Sequence, residues 1–196
     1  MDANTIIALE VCKSIPEYDQ HAHKETIIAN LIAAILTTPS SPADLVTHIK
    51  VAEQRGNMDV VTLALAAVLI FRATNNSMMK IIVICPFQVV AEQLTHMTLR
   101  WLTSVEKSPG GFTKTSIRMG LTRLKFAYPR DLRPLAMSTG RHVLVLYNGE
   151  CIDRKCIFDL VALLQETSRL VCISSLPRKE SELIDVLSAL EIKSAV

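Results

Sequence analysis

The sequence predicts an α/β fold, a mostly parallel sheet layered with helices and preceded by a short helical N-terminal extension. Two observations predict it. The runs KIIVICPF from Lys80, VLVLYN from Val143 and RLVCISS from Arg169 are apolar almost without interruption, as strands buried on both faces are. Stretches of ten or more residues with helical periodicity separate them, the spacing of βαβ units. The length, 196 residues, with 49% hydrophobic and 20% charged residues, supports one sizeable core without low-complexity tracts.

Taken in order, NTIIALEVCKSI and KETIIANLIAAILTT carry apolar residues at helical spacing, and Pro39 with the Ser40-Ser41-Pro42 turn stops the second. Their apolar faces, Ile6, Ile7, Leu9 and Val11 and then Ile27, Ile28, Leu31, Ile32 and Ile35, require burial. Residues 1–40 are thus a helical extension and 41–196 the α/β domain. DLVTHIKVA reads as a strand, and VVTLALAAVLIF, from Val60 to Phe71, as a buried helix short of the roughly 20 residues that span a bilayer. KIIVICPF is followed by the helix VVAEQLTHMTLRWL, in which Trp101 packs the helix on the sheet and Gln93 and His96 share an exposed face. TSIRM and TRLKFA alternate as shorter strands. VLVLYN, the helix CIFDLVALLQET, RLVCISS and the helix ESELIDVLSALEI complete the chain.

Five cysteines without a CxxC pair read as buried reduced thiols rather than disulfides or a zinc site. His21 and His23 read as part of a solvated turn rather than as metal ligands, so no metal is expected. MDANTIIALEV lacks the basic, apolar and small-residue succession of a secretory leader, which predicts an intracellular chain that no membrane holds. Net charge is only +2, yet between Arg100 and Arg141 nine Lys and Arg face Glu106 and Asp131 alone. Arg118, Arg123, Lys125, Arg130 and Arg133 are therefore candidates for binding a polyanion, against the plainer reading of a solvated surface.

Ligands of parallel sheets bind beyond the carboxyl ends of the strands, here the residues after Ala52, Ile84, Leu146 and Ile173. A phosphate loop needs glycines, a Lys for charge and a hydroxyl for magnesium. In VAEQRGNMDVV only Gly56 fits: Asn57 stands at the Lys position, Met58 at the hydroxyl position, and Asp59 repels phosphate. An amide carries no charge, and a thioether is a poor ligand for a hard cation. The central strand ends in Tyr147 and Asn148 where metal-dependent hydrolysis needs acids, leaving Glu150, two residues late, as a weak catalytic candidate beside Asp153. Gly56 and the Ser174-Ser175 pair also have plainer uses, as a turn and as a helix cap.

Over residues 45–190 the order of elements resembles the ATPase domain of the large terminase subunit, the viral DNA-packaging motor, and its herpesvirus branch more than its tailed-phage branch. VAEQRGNMDVVTLALAAVLIFRA resembles that family's Arg-rich phosphate loop, with Gln54, Arg55, Gly56, Asn57 and Met58 in the loop, and its apolar helix. KIIVICPFQVVAEQLTHM resembles the following strand and helix, and TRLKFAYPRDLRPLAMSTGRHVLVLYNGECI the strand, Arg-containing loop and acidic strand. RLVCISS resembles the coupling strand, in which Ser174 and Ser175 would sense the hydrolysed phosphate. The resemblance implies a RecA-like three-layer fold whose departures fall at the catalytic positions. ICPFQVVAEQL, MSTGRHVLVL and CISSLPRKESEL also resemble superfamily 2 helicase motifs, which share that sheet.

The resulting expectation is a catalytically inactive terminase-like protein, related to or derived from viral DNA packaging, without a cofactor. It would bind packaging proteins, a multi-protein complex or DNA, in the host nucleus if the herpesvirus resemblance holds, and self-association is open to it. The alternatives are a divergent NTPase or helicase-like domain that uses ATP, magnesium and Glu150 only within a complex, and a nucleic-acid-binding module.

Overall fold

A computed structural model describes residues 1–37, 46–51, 57–129, 142–157 and 169–175, with positions 184, 185 and 188 beyond them. Helix α1 (Ala3–Lys13) starts at Asp2, whose carboxylate accepts from the Thr5 amide at 2.9 Å and from the Thr5 hydroxyl at 2.9 Å. Such a cap contributes about 1 kcal/mol. Thr5, Ala8, Leu9 and Cys12 form the buried stripe, leaving Ile6 and Ile7 on the opposite side at 48% and 52% exposure. The expected burial of Ile6 and Ile7 is therefore corrected: the stripe of a helix that packs on one side follows i, i+3, i+4, i+7, and these two residues lie outside it.

A 3-10 turn (Tyr18–Lys24) leads into α2 (Glu25–Leu36). Glu25 ties the junction, accepting from the Tyr18 hydroxyl at 3.0 Å and pairing with Lys13 at 3.0 Å. Ile28, Leu31, Ile32 and Ile35 of α2 and Ala8, Leu9 and Cys12 of α1 join the same apolar cluster as the helices of the α/β part. The extension is thus packed onto the rest of the fold.

Helix α3 (Asn57–Thr74) is longer than the apolar run that announces it, and every residue from Val60 to Phe71 is buried. By length and composition alone it matches a membrane span, but here α1, α2, α4 and the strands β4 and β5 enclose it. Helix α4 (Gln88–Ser104) packs beside it, joined by the Trp101 indole, which donates to the Thr62 hydroxyl at 2.9 Å. Trp101 therefore holds α4 to α3, where the sequence placed it against the sheet; its N–H requires an acceptor that a strand face of Ile and Val lacks.

Seven strands form one sheet in the order β1-β7-β6-β2-β5-β4-β3. They are β1 (Val46–Lys50), β2 (Lys80–Ile84), β3 (Gly111–Thr113), β4 (Ser116–Met119), β5 (Thr122–Ala127), β6 (His142–Tyr147) and β7 (Arg169–Ser174). The five from β1 to β5 in that order pair in parallel, and β4 and β3 add an antiparallel edge. No apolar run announces β3, which is three exposed residues long. Alternation sends Ile81, Val83, Leu124, Phe126, Val143, Val145, Val171 and Ile173 into the helical core. Ile82, Ile84, Leu144, Leu146, Leu170 and Cys172 face the other way, into a second cluster with Ile152 and Ile157. Of the helix predicted after β6, residues 154–157 are helical, opened by the Asp153 carboxylate, which accepts from the Lys155 amide at 2.9 Å; its remainder and most of the closing helix lie outside the described residues.

Leu65, 1% exposed at the middle of α3, tests this packing against Ile6. Leu65→Ala is expected to lower unfolding free energy by about 2–5 kcal/mol and Ile6→Ala by at most about 0.5 kcal/mol, read from urea denaturation midpoints.

Candidate functional site

Parallel pairing brings Val51, Cys85, Tyr128, Asn148 and Ser175 out along one edge of the sheet, the edge from which α3 also starts. The connections after β1 and β2 return through α3 and α4 on one face. The connection after β6 begins on the other, where Ile152 and Ile157 pack. Ligand crevices of open α/β sheets form at such a change of side. The last strand of the sheet in chain order, β7, is inserted between β1 and β6, so Ser175, just past it, stands between the ends of those two strands.

Strand β6 ends at Tyr147, 3% exposed, and the chain turns at once because Asn148 adopts a left-handed backbone, φ 51 and ψ 54. Asn and Asp tolerate that region better than other side chains bearing a Cβ. A 3-10 turn, Gly149–Cys151, follows and carries Glu150 back across the end of β7. There its Oε1 accepts from the Ser175 amide at 2.7 Å and lies 3.3 Å from the Ser175 hydroxyl, which also donates to Asn148 Oδ1 at 3.1 Å. Extended-strand counting puts Glu150 out of place at this edge. The turn at Asn148 returns it, and the carboxylate then serves as a brace between the ends of β6 and β7.

The opening of α3 acts electrostatically on the end of β6. Burial pushes the Tyr147 phenol up to about 12, and the neighbouring Cys85 thiol, Glu150 and Asp59 add to the shift. Asp59 is in the first turn of α3, whose first residues are Asn57 and Met58. The crevice is therefore flanked by carboxylates from α3 and from the turn after β6. Gln54, Arg55 and Gly56 of the predicted loop lie outside the described residues. Burial also pushes the Cys85 thiol up to about 12, so it stays protonated and serves as a small apolar residue at the end of β2.

Ser174 is 3% exposed, and its hydroxyl is 2.8 Å from His48 Nε2. His48 was not singled out by sequence. It stands opposite Cys172 in the β1–β7 register, two residues before Ser174, a relation that only strand pairing reveals. Ser174 and Ser175 thus face different partners: Ser174 links β7 to β1, and Ser175 links it to the end of β6.

Among the described residues no group of three His, Cys, Asp or Glu is placed to hold a metal. His21 packs edge-on to Trp101 at 6.4 Å, and burial lowers its pKa, which keeps it neutral near pH 7. The cysteines carry no disulfide, with Cys12, Cys85 and Cys172 buried. Gln93 and His96 are exposed on α4, as the periodicity of that helix predicts. Of the basic candidates, Arg118, Arg123 and Lys125 lie on β4 and β5, away from the crevice, while Arg130 and Arg133 lie outside the described residues.

No protein-family model matches the chain, and no curated protein matches it. Among solved structures, it is similar to the large terminase from a thermophilic bacteriophage, with a TM-score of 0.57 at 9% sequence identity. The match covers 84% of this chain and 43% of the terminase, so the chain spans less than half of that protein's length. At this identity the likeness shows the fold, a mixed α/β RecA-like sheet as read from the sequence.

Two predictions test the edge. Asn148→Val forces a β-branched residue into the left-handed region and is expected to cost about 1–2 kcal/mol, whereas Asn148→Gly removes that strain; equilibrium denaturation compares them. Because the folded Tyr147 titrates near 12 and an unfolded tyrosine near 10, its contribution is intact below pH 10. The unfolded chain releases the proton first as pH rises, so stability falls between about pH 10 and 12. Tyr147→Phe should flatten the stability profile in that window.

Proposed function

We propose that this chain is a terminase-like α/β domain related to or derived from viral DNA packaging, that it does not hydrolyse nucleotide, and that it works as a binding scaffold within a larger assembly. The observation that carries the reading is the acidic character of this edge: Asp59, in the first turn of α3, and Glu150, in the turn after β6, both raise the pKa of Tyr147 electrostatically. A nucleotide phosphate placed at the start of α3 would meet Asn57, Met58 and Asp59, which offer one negative charge and no cation. The helix N-terminus alone favours anions by about 0.3–1 kcal/mol at exposed sites, and an adjacent carboxylate opposes it. Glu150 is engaged by the amide and hydroxyl of Ser175, a structural use for the residue at the end of the central strand. On this reading ATP and magnesium are not cofactors.

The likeness to a large terminase supports a packaging context, and the sequence resemblance to the herpesvirus branch points to work in the host nucleus with other packaging proteins. In the competing reading, a partner supplies the missing lysine or an arginine, Glu150 leaves Ser175 for an attacking water, and the domain becomes an NTPase only within its complex; arginine supplied in trans is a known device.

Thermal unfolding with and without millimolar MgATP separates the two. A ligand at a hundred times its dissociation constant adds about 2.7 kcal/mol; the expected result for the isolated chain is no shift and no magnesium-dependent ATP turnover. Turnover abolished by Glu150→Gln would overturn the scaffold reading.

A further inference from the structure

The two faces of the sheet differ in what they carry at the β2–β5–β4 end. Arg118 of β4 stands directly opposite Arg123 of β5, and Arg123 is in turn opposite Lys80 of β2. Lys125 follows two residues after Arg123, opposite Ile82 on one side and Ser116 on the other. Their neighbours Ile117, Met119, Leu124 and Phe126 point into the helical core, so by alternation the four cations share the opposite face. Arg118 and Arg123 are exposed, and Lys125 and Lys80 half-buried. Thr113 and Ser116, paired through their hydroxyls at 2.8 Å, continue the same face onto β3.

Like charges set directly opposite across paired strands destabilise a sheet, and among the described residues no carboxylate pairs with Arg118, Arg123 or Lys125. The basic residue at the start of the same segment is used otherwise: Arg100 reaches Glu17 at 3.5 Å and lies over the Trp101 ring at 5.2 Å. With strands about 4.8 Å apart, the row from Arg118 through Arg123 to Lys80 spans about 10 Å.

We infer that this face is a docking surface for the phosphate backbone of a nucleic acid, held by Arg118, Arg123 and Lys125 with hydroxyl donors from Thr113 and Ser116. Repulsion within the row is relieved when phosphates lie across it, and guanidinium groups bind phosphate oxygens through paired N–H donors. The face presents no aromatic side chain from these strands, since Phe112 stands opposite Ile117 on the other side. Recognition is therefore of the backbone and independent of base sequence. The inference rests on the scaffold reading only in taking the chain to work by binding; it concerns a surface separate from the crevice and holds whether or not the crevice takes nucleotide.

Fluorescence anisotropy with labelled duplex DNA of two unrelated sequences, across a salt series, tests it with the full chain. Three phosphate contacts give a log–log slope of about −2.7, a loss of roughly fortyfold in affinity for a fourfold rise in salt. Both sequences should bind alike. Arg123→Thr is expected to reduce the slope to about −1.8 while leaving the melting temperature unchanged or higher, because it also removes repulsion from the row. The Arg118→Ser, Arg123→Thr pair should reduce it further. Wild-type affinity and slope in that pair, salt-insensitive binding, or preference for an acidic peptide or anionic vesicle over DNA would each overturn the proposal. MgATP-dependent stabilisation, measured separately, bears on the crevice alone.

Discussion

Helix α3 constrains the whole arrangement because it has no side that tolerates water between Val60 and Phe71. A helix that is apolar all round must be enclosed. The sheet covers one side of it through β4 and β5, and α4 another, which leaves a flank that only further helices can close. The N-terminal helices α1 and α2 do this, and their buried residues join the same cluster as those of α3. The extension is therefore part of the core. Arg169 reinforces the join at the sheet edge, donating from β7 to the carbonyl of Thr37, just past α2, and to the Thr47 hydroxyl on β1 at 3.1 Å.

The carboxyl edge of the sheet follows from that core. With β2, β6 and β7 fixed by apolar side chains on both faces, the chain leaving β6 has little freedom, and the left-handed Asn148 sets where it goes. A residue that prefers an extended backbone would carry the chain away from β7 instead of over it. The same turn shapes the electrostatics of the crevice, since it brings the Glu150 carboxylate to act on Tyr147, as Asp59 also does.

The opposite sheet face divides into two regions. Toward β6 and β7 it is apolar and packed by Ile152 and Ile157; toward β4 and β5 it becomes cationic. A parallel sheet buried throughout would have no room for Arg118 and Arg123. The antiparallel edge made by β4 and β3 lets one face meet solvent, as antiparallel sheets commonly do.

The element types, their order and the parallel core are determined by sequence alone, because long apolar runs, helical periodicity and capping residues act locally. KIIVICPF and VLVLYN could be read as buried strands without knowing their neighbours. The side-chain chemistry of Asn57, Met58, Tyr147 and Asn148 was legible for the same reason, since it belongs to the residue. What only the tertiary structure decided are relations across distance. Strand order placed β7 between β1 and β6, register set His48 beside Ser174, and pairing of β4, β5 and β2 aligned Lys80 with Arg118 and Arg123. Glu150 shows the limit most plainly, for counting along a strand misplaces it, and one residue's φ angle, fixed by the surrounding packing, returns it to the edge.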